Sequence, residues 1–98
     1  MKFAVLFTAS GPIAVLTSHQ SLTDPALIDK FKAKGIAKFI AYELPVELAR
    51  ERYGVHFDAV TKDVKESDDL RVLDFNGDRI FGLFGLKELG QPIFYEAP

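Results

Sequence analysis

Apolar residues in this chain fall into short blocks, and the spacing within each block predicts its conformation. Phe3 to Thr8 and Ile13 to Ser18 are runs of apolar, β-branched and aromatic residues separated by Ser10-Gly11-Pro12, the pattern of a first β-hairpin near the centre of a sheet. Neither run alternates cleanly with polar residues, so both faces of the sheet centre need cover. Helices are expected on one side, and further chain or a partner on the other.

A helix follows, with Asp24 at the N-cap, Pro25 at the first helical position and Gly35 just past the end. Leu27, Ile28 and Phe31 form its apolar stripe. Ile36 to Tyr42 alternates as a strand, and Pro45 to Tyr53 reads as a second helix stopped by Gly54. Val46, Ala49 and Tyr53 share one face of that helix. Leu48 lies off it, which implies a wide buried face or contact with another molecule. Val55, Phe57, Ala59 and Thr61 alternate, so Val55 to Val64 is expected to be a strand, the competing reading being a helix extended through Gly54.

After the polar connection Lys65-Glu66-Ser67-Asp68-Asp69, two apolar runs flank Asn76-Gly77. This pair accepts the positive φ angles of a type I′ turn, and the spacing predicts a tight hairpin. Its register sets Asp74 opposite Arg79, Leu73 opposite Ile80 and Val72 opposite Phe81. Leu86 to Leu89 suits a single helical turn, and Ile93-Phe94-Tyr95 a short terminal strand. The pattern as a whole predicts a single α+β domain over residues 1–98, with a mostly antiparallel sheet of five or six strands and two helices packed mainly on one face. The strand-helix-strand rhythm of the middle section is similar to that of ferredoxin-like domains and dimeric α+β barrels. That analogy covers about half the chain and carries no functional motif.

Composition narrows the picture. A chain of 98 residues has room for one domain and removes roughly two thirds of its unfolded surface from water on folding. With 48% hydrophobic residues and charges of both signs, the composition argues against disorder. The chain has no cysteine, hence no disulfide, thiolate metal site or cysteine nucleophile, and this suits a reducing cytoplasm. A net charge of −2 is too small to steer nucleic acid or an anionic membrane by bulk electrostatics. Lys30, Lys32, Lys34 and Lys38 form the basic run, and lysines at a helix C-terminus complement its carbonyl end. Met1-Lys2 followed by Phe3 to Ala9 imitates a secretory leader. Pro12 interrupts it and no small-x-small cleavage site follows, so a buried strand is the better reading. No run reaches the ~20 apolar residues of a membrane-spanning helix.

Chemical motifs are sparse. Asp74, Asn76 and Asp78 have the spacing of the first ligands in a helix-flanked calcium loop, but Arg79 stands at the glycine position and Gly85 at the bidentate glutamate position. His19 follows Ser18, which on a strand would point to the opposite face. His56 and Asp58 would share a strand face, either as a histidine-carboxylate pair or as two solvated side chains, and no nucleophile accompanies them. Gly82, Gly85 and Gly90 lack phosphate-loop spacing, with Gln91 where a lysine is needed. Asp63, Glu66, Asp68 and Asp69 read as a hydrated acidic connection. No catalytic, cofactor-binding or metal-ligating residue is assigned.

The expected function is therefore a non-catalytic interaction or regulatory module, homodimeric through late aromatic and apolar residues (Phe84, Ile93, Phe94 and Tyr95). The alternative is a small-molecule-binding protein or minor enzyme with a pocket between sheet and helices, using His19, His56 or Tyr42 as polar groups. A deep pocket holding a histidine favours the second; an exposed apolar patch favours the first.

Overall fold

The structure, a computed structural model, describes residues 1–65, 67, 69–73 and 90–97. Among the described residues, eight elements run β1 (Lys2–Thr8), β2 (Gly11–Thr17), α1 (Pro25–Ala33), β3 (Lys38–Leu44), α2 (Val46–Tyr53), α3 (Val55–Thr61), β4 (Leu70–Leu73) and β5 (Ile93–Glu96). The five strands form one sheet in the order β4-β2-β1-β3-β5, and every neighbouring pair is antiparallel. The α+β class and antiparallel sheet are those the sequence pattern predicts. The part of the Asn76-Gly77 hairpin beyond Leu73, the turn at Leu86 to Leu89, Phe84, and the calcium-like Asp74, Asn76 and Asp78 lie outside the described residues.

The predicted first hairpin closes with Thr8 opposite Gly11, and Gly11 takes a φ of 113°, a value that residues with a Cβ resist. β1 then sits at the sheet centre between β2 and β3, which explains why it carries apolar residues on both faces. Phe3 and Val5 point to one face and Ala4 and Leu6 to the other, and all four are buried. Because β2 and β3 flank β1, α1 must carry the chain over β1. The α2-α3 pair must bring it back over β1 and β2 to reach β4.

The two crossings use opposite faces, and this corrects the expectation of two helices mainly on one side. Leu22 and the α1 stripe Leu27, Ile28 and Phe31 pack against Ala4, Leu6, Val15, Phe39 and Ala41. Ala49 and Tyr53 of α2 and Phe57 of α3 pack on the other face, against Phe3, Val5, Ala14, Leu16 and Leu44. Edge-on aromatic contacts join the layers, Phe31 with Phe39 at 5.4 Å and Phe3 with Tyr53 at 6.0 Å, the geometry that ring quadrupoles favour.

α1 forms where its caps predict. The Asp24 carboxylate accepts from the Ala26 N–H at 2.9 Å, Pro25 takes the first turn, and Lys30 and Lys32 lie in the last. The second helix also forms as expected, and the Gly54 N–H closes it by donating to the Arg50 carbonyl.

The strand expected over Val55 to Val64 is instead the helix α3. Gly54 has φ 59° and ψ −133°, conformations that end α2 and let a new helix start at a different angle. The alternation of Val55, Phe57, Ala59 and Thr61 is incidental: Val55 is 78% exposed while Phe57 is 1% exposed. The helix residues packed into the core, Phe57 and Val60, are three apart, at helical rather than strand spacing.

Candidate functional site

The two histidines lie far from forming a site. His56 is exposed on α3, and because two positions along a helix turn by about 200°, it and Asp58 face different directions. Asp58 instead faces Arg50, 3.7 Å away, so the histidine-carboxylate pair expected on a strand does not form. His19 lies in the loop between β2 and α1, with Nδ1 3.5 Å from the Asp24 carboxylate. Its Nε2 is buried with no hydrogen-bond partner among the described residues. Ser18 is exposed beside it. Tyr42 is half-buried on β3 and meets the Phe7 ring edge-on at 5.8 Å.

Around His19 the polar groups serve the fold. The Thr17 hydroxyl donates to the Asp69 carbonyl and accepts from the His19 N–H. Lys30 on α1 pairs with the Asp69 carboxylate, whose pKa is lowered first by that hydrogen bond and then by the lysine's charge. Asp63 accepts two hydrogen bonds from Arg71 at 3.1 and 3.2 Å, which lower its pKa in the same way. These pairs fasten α1 and the end of α3 to β4 and the residue before it. Two of the carboxylates read as a hydrated connection are thus ion-paired; Glu66 and Asp68 lie outside the described residues. Among the described residues, no three His, Asp or Glu side chains gather as metal ligands would.

Two surface features remain. The first lies on the face of the sheet that α2 and α3 roof over only at its Phe3–Leu44 end. At the opposite end, Phe94 of β5 stands directly beside Ile40 of β3, which stands beside Phe7 of β1. Phe94 is 70% exposed and Ile40 36%, and the Phe7–Tyr42 ring pair borders them. The expected cluster of late aromatics is divided by strand alternation. Ile93 and Tyr95 turn to the α1 face, where Tyr95 stacks on Phe39 at 5.4 Å, so Phe94 alone of the three points outward on this face. Alternation along β5 is visible in the sequence; its position beside Ile40 is not.

The second feature is an open cleft of about 770 Å³ at the Phe3–Leu44 end, between the sheet and the α2-α3 pair. Leu16, Leu44 and Phe57 lie beneath it, Met1, Val46 and Val64 add apolar walls, and Lys2, Glu43, Glu47 and Arg50 supply charge. It is the kind of pocket expected between sheet and helices, yet neither histidine nor Tyr42 lines it. Tyr53, on the buried side of α2, has its hydroxyl pKa pushed up to about 12 by burial. Among the described residues no helix is long and apolar enough to cross a membrane. Compared with known proteins, the chain matches no family model, no curated protein and no solved structure.

Proposed function

We propose that this protein is a non-catalytic interaction module of the cytoplasm that self-associates through the open end of its sheet. The observation that carries this reading is Phe94, 70% exposed beside the partly exposed Ile40 of the neighbouring strand. A phenylalanine exposes roughly 200 Å² when free, so Phe94 offers about 140 Å² per copy, and covering it in both copies contributes about 7 kcal/mol. A stable interface needs about 800 Å² per partner and must overcome lost rotational and translational freedom. Phe94 is thus the anchor of a modest, micromolar dimer rather than of a permanent one, with Ile40, Phe7 and Tyr42 as its surround. A two-fold arrangement lets the same patch serve both copies.

The test is sedimentation equilibrium of the wild-type chain and of Phe94→Ser across the micromolar range. The reading expects reversible dimerisation in the wild type and at least a hundredfold weakening in the variant, as for an interface anchor. A monomer mass for the wild type throughout that range would refute it.

A further inference from the structure

The cleft at the Phe3–Leu44 end is independent of the proposed dimer patch, and its charges constrain what it can hold. Lys2 and Glu43 form one wall and already satisfy each other, with Nζ and Oε1 3.1 Å apart. The Lys2 ammonium also donates to the Gln20 carbonyl. The other wall is α2, where Glu47 and Arg50 are three residues apart and both exposed, so their Cβ atoms sit about 5–6 Å apart on neighbouring turns.

Glu47 makes no ion pair among the described residues. Arg50 is held from one side: its Nε faces Asp58 at 3.7 Å and its guanidinium carbon lies 5.5 Å from the Phe57 ring centre. A guanidinium has five N–H donors, and with Nε turned toward Asp58 its terminal groups are able to grip a carboxylate in a fork. Each wall carries one charge of each sign, and this mixed rim opposes a polyanion or a polycation, since either would meet repulsion from half of it. It suits a molecule that carries one charge of each sign a few ångströms apart. The apolar contacts from Met1, Val46 and Val64 ask for a bulky hydrocarbon group on the same molecule, and the volume is within the range of small-ligand sites.

We infer that this cleft binds a zwitterionic apolar amino acid, with its carboxylate at Arg50, its ammonium at Glu47 and its side chain against Met1, Val46 and Val64. The binding is non-covalent and involves no chemical step.

The experiment is a titration of the isotope-labelled full chain with L-phenylalanine, followed by amide NMR shifts. N-acetyl-L-phenylalanine and inorganic phosphate serve as comparison probes. The expected result is saturable shifts at Val46, Glu47, Arg50 and Val64 with phenylalanine, and binding at least tenfold weaker for the N-acetyl compound, which lacks the ammonium. Phosphate should leave these amides unmoved. Glu47→Gln changes an exposed residue, so it should keep the wild-type thermal midpoint while weakening phenylalanine binding about tenfold, as loss of one charge-assisted contact does. Absence of saturable shifts with phenylalanine at millimolar concentration would overturn the inference. So would equal binding of the N-acetyl compound, or unchanged affinity in Glu47→Gln.

Discussion

Phe57→Ala is the substitution that best examines the packing of α3, because helix and strand assign opposite roles to its neighbours. Phe57 is 1% exposed, meets the Phe3 ring edge-on at 6.2 Å and lies under the Arg50 guanidinium. Removing a buried phenylalanine costs about 3–5 kcal/mol, including the cavity left behind. For a domain of this size, each kcal/mol moves the thermal midpoint by about 4–8 °C, so the loss is roughly 12 °C or more. Since total stability is about 5–15 kcal/mol, the milder Phe57→Leu, at about 1–2 kcal/mol, keeps the measurement possible if the alanine variant does not fold. Val55→Ala is the control: Val55 is 78% exposed on the same helix and its loss should change stability by less than about 0.5 kcal/mol. On a strand, Val55 and Phe57 would share a face and both would be costly. Urea denaturation followed by circular dichroism reads the difference. Equal losses at the two positions, or a loss below about 1 kcal/mol for Phe57→Ala at unchanged slope, would refute the packing described.

Other outcomes follow from the same structure. His56→Ala, at an exposed position, should leave the urea midpoint within the range of surface substitutions, about 0.5 kcal/mol. Asp24→Ala removes the carboxylate that accepts from the Ala26 N–H and should cost about 1 kcal/mol in the same assay. Asp63 and Asp69 both have pKa values lowered below 3.8 by Arg71 and Lys30, so the unfolded chain takes up their protons first and stability falls as pH drops below about 4. Asp69→Asn should flatten that acid limb, and high salt should weaken the effect because the pair is exposed. Tyr53, with its pKa raised to about 12, favours the fold fully below the ordinary value of 10 and loses that contribution as pH rises toward 12. An ultraviolet phenolate titration should show one late ionisation, absent in Tyr53→Phe.

Much of the architecture is legible in the chain because local chemistry and tertiary packing agree there. Asp24, Pro25 and Gly35 delimit α1, and Leu27, Ile28 and Phe31 are its buried stripe. The two-faced apolar character of β1 announces a central strand. α3 was illegible because a seven-residue helix offers too few turns for its period to show, and Val55 and Ala59 mimic strand alternation while facing solvent. The face each helix takes depends on strand order, which is a long-range property: once β3 pairs with β1 and β4 with β2, the chain crosses the sheet twice. The candidate surfaces share that dependence. Phe94 and Ile40 are 54 positions apart in the chain and meet only through the β3–β5 register. The cleft joins Lys2, Glu43 and Arg50 from three elements. Only a strand period would bring His56 and Asp58 together, and the segment is helical.

Self-association through the Phe94–Ile40 end of the sheet is read out by isotope-filtered NOE spectroscopy on a mixture of labelled and unlabelled wild-type chains. Dimerisation through this face should give intermolecular contacts between the Phe94 ring protons of one copy and the Ile40 methyl groups of the other, which stand side by side within each sheet. Intermolecular contacts confined to other surfaces, or none at concentrations where the chain is fully dimeric by sedimentation, would contradict it.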